Sequence, residues 1–177
     1  MKAVLVRHTT IALPTGTCYG RLDVPLAPTF AEEAVAVVAA LPWMPTLVLT
    51  SPATRCRRLA TAIATAAEPC PVLVDTRLAE LHMGAWEGLR WDDISGEVFE
   101  QWKIDPWGTR PPGGENAADL LARVGEVRAG LGASRSGRVA LVTHAGVIRA
   151  WRSLAEARPL PELFEDKIPF GSVWTAQ

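Results

Sequence analysis

Two of the three histidines directly follow short apolar runs: His8 in VLVRHTT and His144 in LVTHAGVIRA. Near neutral pH an imidazole can be nucleophile, base or hydrogen-bond donor. A single histidine is more often a packed or solvated side chain; two in matched settings weaken that reading. Arg7 adjoins His8, a pairing that chance alone could produce. Arg55 lies in SPATRCRRLATAI. Ser51 suits a helix N-cap and Pro52 a first helical position. Arg55 then shares the apolar face with Leu59, Ala62 and Ile63, while Arg57 points about 200° away at about 100° per residue. Arg57 and Arg58 read as solvated surface charges. An inward guanidinium needs an anionic partner, either a structural carboxylate or a bound anion, and a helix N-terminus favours an anion. Glu80, in RLAELH, could act as general acid and base or pair with an arginine; taken alone, pairing is the simpler role. Glu87 and Glu115 are weaker candidates, and Glu115 could serve only the N-terminal turn of the next helix. His82 has no evident partner and reads as structural.

Taken together, Arg7, His8, Arg55, Glu80 and His144 make chemical sense around a phosphoryl group. Two arginines and a protonated His144 would hold its negative charge. His8, unprotonated on its attacking nitrogen, would displace the alcohol from phosphorus. Glu80 would protonate the departing oxygen and later take a proton from water. Positive side chains would fill the role that magnesium plays elsewhere, so no metal or cofactor is expected.

These residues need a frame. Ala3 to Val6, Thr46 to Thr50, Pro71 to Asp75 and Arg138 to Thr143 are short apolar runs that read as strands buried on both faces. Ala-rich stretches with helical spacing lie between and after them, at 29–41, 52–68, 115–132 and 145–157. Strands alternating with helices predict an α/β domain with a mostly parallel sheet, spanning 1–177 as one unit. In such sheets ligands bind beyond the carboxyl ends of the strands, where His8 and His144 both fall. Segments 11–28 and 84–114 read as long functional loops with short helical pieces.

Composition narrows the class. The 177 residues carry 18 Lys+Arg against 19 Asp+Glu, a net charge of −1, with 49% hydrophobic residues. That excludes a disordered chain and argues against a nucleic-acid partner, which calls for a basic field. No run approaches the roughly 20 apolar residues of a membrane span. The apolar start of the chain is too short for a signal-peptide core, so a cytoplasmic protein is expected. Cys18, Cys56 and Cys70 are odd in number and irregular in spacing, which argues against a disulfide framework or a zinc site. The 7 Trp read as core and groove packing.

The motifs, taken in order, resemble the histidine phosphatase superfamily, the phosphoglycerate-mutase-like proteins. LVRHT (5–9), SPATRC (51–56), LAELHMGAWEG (78–88), PGGE (112–115) and VTHAGVIR (142–149) resemble its successive motifs along nearly the whole chain. The resemblance implies a three-layer α/β/α fold, His8 as phosphohistidine nucleophile, Glu80 as proton donor, and Arg7, Arg55 and His144 as the phosphate pocket. It departs at Thr9 and Ala145, where glycine is frequent, at Arg58-Leu59-Ala60, where Gln-Thr-Ala is usual, and at Pro14, where many members place a phosphate-contacting Asn. The loop 14–26, with Cys18-Tyr19-Gly20 and Asp23, resembles the α-ribazole phosphatase branch, which acts late in cobalamin assembly on α-ribazole 5′-phosphate or cobalamin 5′-phosphate. Tyr19 and Arg21 would then contact substrate, although a merely packed loop also accounts for Cys18 and Tyr19. The partner expected is a small phosphomonoester. Alternatives are a phosphoglycerate mutase, a broad-specificity phosphatase and a non-catalytic phosphate binder. The oligomeric state, a homodimer included, stays open.

Overall fold

The computed structural model describes residues 2–67, 70–133 and 137–176. Along the chain come β1 (Lys2–Arg7), α1 (Phe30–Ala40), β2 (Leu47–Thr50), α2 (Thr54–Ala66) and β3 (Val72–Val74). Then follow α3 (Glu97–Ile104), α4 (Ala117–Ala133), β4 (Arg138–Thr143), α5 (Ala145–Glu156) and β5 (Val173–Ala176). The strands form one sheet in the order β3-β2-β4-β1-β5. All neighbours are parallel except β5, which runs antiparallel to β1.

Side chains alternate across the central strands, as strand geometry requires. Leu5, Val139 and Leu141 face α4 and α5, packing on Leu120, Val124, Ile148 and Trp151. Val4, Val6, Val48, Ala140 and Val142 face α1 and α2, packing on Val37, Leu59 and Ile63. The architecture is therefore α/β/α with a mostly parallel sheet, as the strand–helix alternation predicts.

The helices fall close to their expected positions; the end of the predicted 52–68 helix, at Glu68, lies outside the described residues. Two expectations are corrected. β3 is a three-residue edge strand whose Val72, Leu73 and Val74 are exposed, because only β2 flanks it and no second strand covers its outer side. α2 starts at Thr54 with Ala53 in the capping position, not at Pro52 with Ser51 as cap. The cap comes from outside the segment: Asp23 accepts from the Thr54 backbone N–H (3.0 Å) and from its hydroxyl (2.5 Å). β5 was not anticipated. The 84–114 segment is irregular except for α3 and single helical turns at Gly84–Trp86 and Trp91–Asp93. Its aromatic side chains pack on one another, with Trp91 stacked on Trp102 (5.1 Å) and Trp86 edge-on to Phe99 (5.3 Å).

Candidate active site

Strand register brings the two histidines together. Arg7 pairs with Thr143 on adjacent parallel strands, so the next residues, His8 and His144, leave the sheet side by side. Their ring centroids are 5.2 Å apart and nearly edge-on. Nδ1 of His8 lies 2.8 Å from the Thr9 carbonyl. A carbonyl only accepts, so Nδ1 carries the proton and Nε2 keeps its lone pair. Burial, then the Arg55 and Arg7 charges, push the His8 pKa down to about 3, against the opposing pull of the Thr9 bond. His8 is thus a neutral, tautomer-fixed imidazole.

Burial first, then His8, Arg55 and Arg7, hold the pKa of His144 well below the ordinary histidine range, which opposes the protonated form expected beside a phosphoryl group. Burial and the neighbouring positive charges thus favour its neutral form. Its Nδ1 faces Arg55 Nη2 at 3.4 Å, and its Nε2 lies 2.8 Å from Ser51 Oγ. A guanidinium only donates, so Nδ1 accepts and Nε2–H donates to Ser51. The Ser51 hydroxyl, absent from its predicted capping role, orients this ring instead.

Arg55 is fully buried, as its place on the apolar face of α2 requires, whereas Arg57 and Arg58 are exposed. Within the chain its partners are backbone carbonyls, not a structural carboxylate. Nη1 and Nη2 donate to the Leu22 and Gly20 carbonyls, each at 2.8 Å. Arg7 donates to the Ile168 carbonyl and stacks under Phe170, 3.9 Å from the ring centroid. Phe170 also leans on the His8 ring at 5.4 Å. Among the described residues neither arginine forms an ion pair, so both charges stand uncompensated beside two neutral imidazoles. This favours an anion there.

Glu80 is not paired with an arginine through its carboxylate. Oε1 accepts from the Leu81 N–H (2.9 Å) and Oε2 from the Gly146 N–H (3.1 Å) in the first turn of α5. Arg21 and Arg123 instead hold the Glu80 backbone carbonyl, at 3.2 and 3.1 Å. Both also pair with Glu115, at 2.5 and 3.0 Å. Glu115 therefore locks Arg21 and Arg123 beneath Glu80 rather than serving a helix terminus, and Arg21 spends its guanidinium on the scaffold. Glu87 pins the same region by accepting from the Arg21 and Met83 N–H groups. His82 is half-exposed, 3.9 Å from Glu87. Pro14 is exposed in its loop.

A cavity of about 410 Å³ opens beside Glu80. Its walls are apolar and aromatic: Tyr19, Met83, Trp91, Trp102, Trp107 and Phe164. Tyr19 also lies under the Arg55 guanidinium, 5.4 Å away. Charged groups in its lining are few: Glu80, Lys103 and Arg149. Arg149 bonds the Leu163 and Asp166 carbonyls (both 3.1 Å), and burial lowers its pKa against the pull of Glu80. Gly146, Arg149, Ser51, Phe170 and the cavity tryptophans were not singled out as site residues from sequence. The three-residue spacing of Gly146 and Arg149 at the start of an amphipathic helix is the one local signal that marks both for a single face. Among the described residues no three His, Cys, Asp or Glu side chains group as a metal site, and no helix is long and apolar enough to cross a membrane.

Comparison with known proteins gives a consistent picture. The family model for the histidine phosphatase superfamily (branch 1) matches residues 3–175. A glucosyl-3-phosphoglycerate phosphatase of Mycolicibacterium vanbaalenii is 34% identical, over 84% of this chain and 71% of its own. Among solved structures, the mycobacterial glucosyl-3-phosphoglycerate phosphatase superposes with a TM-score of 0.83 at 28% identity, covering 98% of this chain and 88% of its own. The α-ribazole phosphatase of Shigella flexneri superposes more closely, at 0.90, with 23% identity over 99% and 89%. At that identity the likeness is one of fold.

Proposed function

From the premise that this chain belongs to the histidine phosphatase superfamily and is a phosphatase, we propose that it hydrolyses phosphomonoesters without a metal, through a phosphohistidine on His8. His8 Nε2 attacks phosphorus, the P–N bond forms and the P–O bond to the alcohol breaks. Arg7, Arg55 and His144 hold the phosphoryl oxygens; the phosphoryl charge raises the pKa of His144, which takes up a proton from solvent as the anion binds. Glu80 gives its proton to the departing alcohol oxygen, then takes one from the water that attacks the phosphohistidine. Orthophosphate leaves and His8 is regenerated. The observation that carries this reading is the neutral His8, its tautomer fixed by Thr9, between two uncompensated guanidiniums.

The substrate we propose is α-ribazole 5′-phosphate, or the cobalamin 5′-phosphate made from it. The aromatic cavity beside Glu80 supports this, because a planar, apolar base stacks on indole and phenyl walls. The Cys18-Tyr19-Gly20 loop, which forms part of that wall, supports it too. A second reading has its own support: the relative at 34% identity acts on glucosyl-3-phosphoglycerate, and Arg149 and Lys103 could meet a carboxylate at the cavity wall.

The test is a phosphate-release panel of α-ribazole 5′-phosphate, cobalamin 5′-phosphate, glucosyl-3-phosphoglycerate, phosphoglycerates and nucleotides. The highest kcat/KM should fall on α-ribazole 5′-phosphate or cobalamin 5′-phosphate; a clear preference for glucosyl-3-phosphoglycerate would replace the substrate assignment. His8→Ala should abolish phosphate release while EDTA leaves the wild type unchanged. Full activity in that variant would remove the nucleophile.

A further inference from the structure

We propose that Gly146 is a positioning residue for the proton donor: its missing side chain is the seat of the Glu80 carboxyl group. The proposal rests on the reading of Glu80 as the acid and base of the reaction. A Cβ built on residue 146 would stand 2.3 Å from Glu80 Oε1, 3.1 Å from its carboxyl carbon and 3.5 Å from Oε2. The first separation is far inside van der Waals contact. The same residue donates its N–H to Oε2 at 3.1 Å. One position therefore supplies both the space and the bond that fix the carboxyl group. Leu81 N–H holds Oε1, the oxygen nearest the added Cβ, so an alanine there would push the carboxyl group off this pair of bonds.

Backbone demands do not explain this glycine. Gly146 is absent from the glycines with left-handed φ and sits in the first turn of α5, next to Ala145. There, alanine is the better helix former. A purely local accounting would make Gly146→Ala neutral or stabilising. The constraint comes from Glu80, 66 residues away in sequence.

The experiment compares Gly146→Ala with Glu80→Gln on two esters: an alkyl phosphate, whose leaving oxygen needs a proton, and p-nitrophenyl phosphate, whose leaving group needs none. Melting temperature is measured alongside. Gly146→Ala should melt no lower than the wild type. It should lose about 10²-fold in kcat on the alkyl ester, with KM little changed, and much less in the pre-steady-state burst of p-nitrophenolate. Glu80→Asp, one methylene shorter, should recover part of the lost kcat when combined with Gly146→Ala, although it impairs the wild-type background. Wild-type kcat on the alkyl ester in Gly146→Ala, with Glu80→Gln impaired, overturns the role of Gly146 and leaves Glu80 in place. Equal losses on both esters with a lowered melting temperature also overturn it. An unimpaired Glu80→Gln overturns the underlying reading instead.

Discussion

At His8 the surroundings, more than the residue, decide the chemistry. The ordinary imidazole is half-protonated at about pH 6.5, whereas burial and two guanidiniums take this one to about 3. The folded state thus prefers the neutral ring. The stability this brings is complete above pH 6.5 and is lost as pH falls from 6.5 toward 3. His144 shifts in the same direction and adds to it. Carboxylates held below their usual range, such as Asp75 and Glu115, lose their contribution only below about pH 4.5. The fall in melting temperature between pH 6.5 and 4.5 should therefore be shallower in His8→Asn than in the wild type, by calorimetry across that interval. Arg55 is the second test at this scale. Lysine keeps the charge but cannot reach both the Gly20 and Leu22 carbonyls with one planar fork. Arg55→Lys should lose about a hundredfold or more in kcat/KM, read by phosphate release. The inward direction of Arg55 was legible, because helical arithmetic needs only the local sequence. The charge of His144 was not, because it depends on neighbours from three separate elements.

Among the elements, α2 shows what local reading lacks. Its N-terminal cap is Asp23, 31 residues upstream. No window around 51–54 contains it, so Ser51 looked like the cap. The arrangement gives Asp23 two duties: ending α2 and fastening the 14–26 loop that carries Tyr19. Asp23→Ala should cost about 1 kcal/mol of stability, measured by urea unfolding, and should raise KM more than it lowers kcat. Helices α1, α4 and α5 were readable because their apolar spacing is periodic over three or more turns. β5 was not, since a four-residue strand after a turn carries little periodic signal, and strand order is not a property of any single segment. The exposure of β3 follows from that order, with no mark in Pro71 to Asp75 itself.

For the molecule as a whole, a net charge of −1 conceals an uneven distribution. Arg152, for example, pairs with Glu156 and Asp166. Arg7, Arg55 and Arg149 have no such carboxylate partner among the described residues. Binding an oxyanion should stabilise the fold by mass action, by about 2.7 kcal/mol at a hundred times its dissociation constant. Orthophosphate should accordingly raise the melting temperature of the wild type, and this rise should largely vanish in Arg55→Ala. A scanning fluorimetry titration against matched chloride checks it. The convergence of the histidines was foreseen because both follow strands and parallel sheets gather strand ends at one edge. The aromatic cavity was not, because tryptophans 91, 102 and 107 come from a segment with no periodicity to say which way they turn.

The grip of Arg55 on the Gly20 and Leu22 carbonyls has a consequence for how this protein could acquire new preferences. The guanidinium that faces the histidines also anchors the stretch bearing Tyr19, one flank of the aromatic cavity. Variation on that flank is tethered to turnover itself. Trp107 and Phe164, also in the cavity wall, pack ring against ring at 5.5 Å and, among the described residues, share no hydrogen bond with the histidine pair. Natural or laboratory divergence in which alcohols are accepted should accumulate there first, with the inherited reaction left intact.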